Sequence, residues 1–195
     1  MSFALSQWTE LARRYPKAKE ALVEVRDRGA GEFARGEGTF ELFMEVAAIN
    51  RELREQDATY DLFMSMQAHN PKLAGYCYYA IEALLLERGE YALCASFIPN
   101  FQPRFDQIRA TRDRTLEFAN RTPDAKSQTL LRGEAQRTFI KQTRNLVEIL
   151  VGVGRKADAE AIQGQAVAVL DIPELQSAVS DAGQKVKQAT APKRP

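Results

Sequence analysis

The sequence predicts an all-α protein, and three observations carry that reading. No stretch holds a sustained period-2 alternation, and no Asn-Gly or Asp-Gly pair marks a β-hairpin turn. Helix starts are written as a polar cap followed by proline, at Asn70-Pro71 and at Thr122-Pro123-Asp124. Two apolar runs end on a stop glycine, Gly89 and Gly154, and restart as helix at once. These glycines lie 65 residues apart, close to two helical-hairpin repeats of about 33–34 residues.

The elements follow in order. Ser6 caps a first helix to Tyr15, with Trp8, Leu11, Ala12 and Tyr15 on one face. Pro16 opens a second as an N1 proline; it carries Ala18, Leu22 and Val25 and frays near Gly29 and Gly31. Thr39 caps the next, Phe40 to about Arg54, whose apolar residues spread over two adjoining faces, as in the middle of a stack. Asp57 starts a helix with Tyr60, Phe63 and Met64. The most apolar helix runs from Leu73 to Arg88, and after Gly89 a short one carries Tyr91, Cys94, Phe97 and Ile98 to Pro99. Pro99 to Pro103 reads as a linker, and a charged helix follows over 104–120. The next runs toward Val153 with Leu131, Ala135, Phe139, Leu146 and Leu150 on one face. Ala157 to Leu170 is its partner, and Pro173 opens a last helix. The expected organisation is one helical domain, 1–183. It comprises N-terminal helices (1–38), two hairpins (39–100) and C-terminal helices (104–183), followed by a disordered tail, 184–195.

Composition is that of a globular protein: 195 residues, 45% hydrophobic, 27% charged, net charge +1. Global charge therefore points to no strongly basic or acidic partner. Charge is uneven along the chain, however. Residues 32–90 hold five basic and eleven acidic groups, while residues 101–156 hold twelve basic and six acidic. The N-terminus has no basic n-region before Glu10, so no signal peptide is expected. The longest apolar stretch, Leu73 to Leu86, is too short to span a membrane. Cys77 and Cys94 sit in apolar helical runs and read as reduced core thiols, and the cytoplasm is the expected location.

Catalytic patterns are absent. His69 stands alone at a helix boundary, which suits an exposed polar residue better than a base. Two cysteines and one histidine without C-x-x-C make no zinc site, and the glycines at 29, 31, 36 and 38 match no phosphate loop. No enzyme, metal or cofactor is expected.

The Gly89-Glu90-Tyr91 turn, with Cys94 as the small residue and Tyr78, Ile81 and Leu85 before it, resembles the tetratricopeptide repeat and its α-solenoid relatives. Gly154-Arg155-Lys156, with Ala159 as the small residue and Leu146 and Leu150 before it, matches again. A unit 33 residues earlier is degenerate: Gln56 replaces the glycine and Asp61 the small residue. Glu82 and Val147 stand where the family keeps a close-packing glycine, and 101–121 is not repeat-like, so about half the chain is covered. The resemblance implies a right-handed α-α superhelix and a concave groove lined by first helices. The matching places are Phe43, Asn50 and Arg54, then Tyr76, Tyr79 and Ala83, then Lys141, Arg144 and Glu148, of which Asn50, Arg54, Tyr76, Tyr79, Lys141 and Arg144 are the expected partner-binding set. Tyrosine offers amphipathic contact, asparagine bonds a peptide backbone and arginine clamps a carboxylate. That helix is apolar almost all round, so the core is the other place for Tyr76 and Tyr79.

The expected function is a non-enzymatic scaffold binding a protein or peptide segment in that groove. One alternative is salt-dependent self-assembly through the oppositely charged stretches. Another is nucleic-acid association through the basic helices 104–144, which interleaved Asp106 and Asp113 and the lack of stacking aromatics disfavour.

Overall fold

A computed structural model describes Leu11 and residues 14–190. Among these it is all-helical, with no strand and ten helices: α1 (Pro16–Ala34), α2 (Phe40–Leu53), α3 (Gln56–His69), α4 (Pro71–Glu87), α5 (Tyr91–Ser96), α6 (Phe101–Arg121), α7 (Ala125–Gly152), α8 (Lys156–Val169), α9 (Pro173–Gln176) and α10 (Ala178–Thr190). The helix expected over 6–15 falls largely outside the described residues. The chain divides into two compact units, Met1–Leu84 and Leu85–Pro195.

In the first unit α1 packs on α2 and α3, and α2 on α3. Its core is aromatic: the Phe43 ring lies 6.3 Å from those of Phe33 and Phe63. Gly29 does not fray α1 as the sequence suggests. It is buried where α2 crosses, and a Cβ there would come 2.8 Å from a Val46 methyl carbon and 3.1 Å from Leu42 Cδ1. The stop falls instead at Gly36, φ 78°. Thr39 caps α2, its hydroxyl accepting from the Leu42 N–H at 3.2 Å. Asn70 caps α4 in the same way through Leu73 N–H, at 3.1 Å.

The second unit is built around α7, against which α5, α6, α8, α9 and α10 all pack. That explains why Leu146 to Leu150 are buried all round the helix. Both stop glycines adopt the left-handed conformation, Gly89 at φ 74° and Gly154 at φ 78°. In each turn the next N–H reaches back to the carbonyl five residues earlier: Glu90 to Leu85 at 2.9 Å, Arg155 to Leu150 at 2.8 Å. Cys94 and Ala159, five residues after each glycine, are fully buried on helices packed against α7. α5 has only six residues, shorter than the second helix of a 34-residue hairpin.

Several boundaries differ from expectation: α7 starts after Asp124 rather than at Pro123, and the last helix is split into α9 and α10. Phe101 to Pro103 form the first turn of α6 rather than a linker. Asn100 caps it through Gln102 N–H at 3.1 Å, and proline in a first turn forfeits no helical bond. α10 continues to Thr190, so residues 184–190 are helical where falling apolar content predicts a tail. Ion pairs hold it: Arg144 to Asp181 at 3.0 Å and Lys185 to Glu148 at 2.7 Å. Both partners advance by four residues, so α10 runs parallel to α7. Residues 191–195 of the expected tail lie outside the described residues.

Candidate binding surface

Of the six residues assigned to a groove, Tyr76 and Tyr79 fit the role best. They lie one turn apart on α4 and are 62% and 52% exposed, which removes the core as their place. The opposite face of α4 is fully committed, with Ala74, Cys77, Tyr78 and Ile81 buried. The burial pattern follows from 3.6 residues per turn: 74, 77, 78 and 81 turn inward, leaving 72, 75, 76, 79, 80 and 83 outward. The outward face is thus two tyrosines among small residues, with Lys72 at its start. A side chain at Gly75 would meet nothing within 4 Å. The Tyr79 ring lies 5.0 Å from that of Tyr78, tilted by 59°, which seats it against the buried layer.

Asn50 and Arg144 already have partners within the chain. Asn50 is 1% exposed; its amide donates to the Thr59 hydroxyl at 3.0 Å and accepts from Arg26 at 3.3 Å. It joins α1, α2 and α3 through their polar groups, because a buried amide must find partners. Arg26 also pairs with Glu55 and Asp27. Burial disfavours its charge, but these two carboxylates outweigh that and hold the guanidinium above its ordinary pKa. Arg144 is spent on Asp181 and, at 2.9 Å, on the Glu174 carbonyl. Its fork therefore fixes α9 and α10. Arg54 is exposed and caps α2 at φ 62°, the left-handed region that arginine rarely enters. Lys141 is exposed on α7.

His69 is exposed and donates from Nδ1 to the Ser65 carbonyl at 2.8 Å. Burial, and then the charge of Glu41, push the Cys77 thiol up to about 11, so it is protonated at neutral pH. Cys94 is buried as well. Tyr91 is raised by burial, then by the charges of Glu148 and Cys94. Among the described residues no group of three His, Cys, Asp or Glu is placed to hold a metal ion, and no helix is long and apolar enough to cross a membrane.

The sequence reading assigned no surface role to four exposed apolar residues: Phe40 and Met44 on α2, Phe118 on α6 and Leu130 on α7. Helical spacing alone could have found them, since each falls outside the buried stripe of its helix.

No protein-family model, no curated protein and no solved structure matches the chain.

Proposed function

We propose that the chain is a non-enzymatic helical module that binds a protein or peptide segment across the Tyr76–Tyr79 face of α4. The observation carrying this reading is the exposure of two large aromatic side chains on a helix whose other face is fully packed. Exposed aromatic patches among small residues favour docking, because tyrosine supplies area and a hydroxyl while losing little rotamer freedom. Gly75, Ala80 and Ala83 leave room for a partner backbone beside the rings. In this reading the two glycine-stopped turns belong to tetratricopeptide-like hairpins of a superhelix working in the cytoplasm.

The test is the Tyr76→Ala, Tyr79→Ala double variant. It should keep its far-UV helix signal and lose a partner co-purifying with the wild-type chain, with affinity reduced roughly 100-fold or more. Undiminished binding by a folded double variant overturns the reading.

A further inference from the structure

The α6–α7 hairpin carries an open groove along one side. Its floor is Ile108, Ala135 and Phe139, and its rims are Thr111 and Thr115 from α6 and Glu134 and Thr138 from α7, around a shallow cavity of about 50 Å³. Phe118 lies seven residues beyond Thr111, and Leu130 four before Glu134. Both spacings return to the helix faces that carry the rims, so two apolar residues stand beyond the groove toward the hairpin turn. These are 63% and 61% exposed.

The charges around the groove favour a carboxylate-bearing partner. Four arginines of the hairpin are already neutralised: Arg109 by Asp106, Arg112 by Asp113, Arg121 by Glu117, Arg137 by Glu134. Arg114, one helical turn from Phe118, and Lys141, one turn from Thr138, are in no ion pair among the described residues, and Arg114 donates to the Thr111 hydroxyl on the rim at 3.3 Å. Arg112 lines the groove with its guanidinium 5.6 Å over Phe139, and its buried Nε has no acceptor. A polyanion would meet the interleaved carboxylates; a helix with one apolar stripe and two or three acids would not.

The chain itself bears such a helix. Phe40, Met44 and Ala48 form an i, i+4, i+8 stripe on α2, flanked by Glu41 and Glu45. Phe40, Glu41, Met44 and Glu45 are exposed, and neither carboxylate is in an ion pair among the described residues. We propose that the α6–α7 groove takes α2 of a second copy of this chain, with Phe40 and Met44 between Phe118 and Leu130 and the two glutamates toward Arg114 and Lys141. The contact joins two different surfaces, so each copy keeps one of each free and further copies add in a row. It is independent of the Tyr76–Tyr79 face.

Sedimentation velocity of the full chain at low and high ionic strength tests this, with Arg114→Glu/Lys141→Glu and Glu41→Lys/Glu45→Lys variants checked for helix content. The wild type should associate with concentration at low salt and dissociate at high salt. Each variant alone should associate at least about tenfold more weakly, and an equimolar mixture should recover the association, since the reversed faces complement one another. A wild type that stays monomeric at low salt overturns the proposal, as do folded variants that associate like the wild type. So does a monomer that binds a single-stranded oligonucleotide through Arg114 and Lys141, which would assign the groove to nucleic acid instead.

Discussion

At Gly152 the α7 backbone meets the ring of Tyr91: a Cβ there would lie 2.2 Å from Tyr91 Cγ. This contact explains why the helix ends on Gly-Val-Gly; Gly154 makes the turn, while Gly152 admits the aromatic ring. Gly152→Ala should therefore destabilise the second unit by about 1–3 kcal/mol, seen as a lower thermal midpoint. Gly164→Ala, where a Cβ meets nothing within 4 Å, should not lower it. Cys77 gives a second residue-scale expectation. Its thiol ionises near 9.0 when unfolded and near 11 when folded, so between those values the unfolded chain has lost the proton that the native chain keeps. Stability contributed by this group is complete below pH 9 and falls as pH rises toward 11. Denaturant titrations across that window should show a steeper loss for the wild type than for Cys77→Ala. At neutral pH a thiol reagent should label Cys77 only after unfolding. Residue types were legible for this site, but commitments were not. The partners of Asn50 and Arg144, which are Thr59, Arg26 and Asp181, come from other helices and are not marked in the local sequence. Tyr78 and Tyr79 are neighbours in sequence, yet helical rotation buries one and exposes the other.

Among the elements, α10 shows what local sequence leaves out. The helix buries little beyond Ala178 and Ala182, so its apolar content is too thin to predict it past Gly183. Its position is set by Arg144–Asp181 and Glu148–Lys185, each spanning 37 residues. The order of charges also fixes the register. A slip of one turn would set Arg144 against Lys185 or Glu148 against Asp181, like charge against like. Lys185→Glu should loosen α10 by about 1–2 kcal/mol, discounted because Lys185 is half-exposed while the Glu148 side chain is only 8% exposed. The swap Glu148→Lys/Lys185→Glu should recover part of that, with hydrogen exchange of the α10 amides as the measure. Helix ends, by contrast, were legible at Thr39, Asn70, Gly89 and Gly154, which act as their residue types dictate, but not at Thr122-Pro123, where Thr122 closes α6 and Asp124, past the proline, caps α7. Gly29 misled because a close-packing glycine and a stop glycine look alike until the crossing helix is known.

Across the whole molecule, two compact units carry unlike surfaces. The helical class was readable from capping and periodicity, while the division into two units depends on long-range packing that periodicity does not encode. The central claim is that the outward face of α4 binds another protein. The most direct measurement is site-specific photocrosslinking in cells of the source organism. A photoreactive residue would be placed in turn at positions 76 and 79, and at exposed Gln184 as control. The account predicts one discrete heterologous adduct from 76 and 79 and none from 184. No adduct at the α4 positions, or the same adducts at all three, would contradict it.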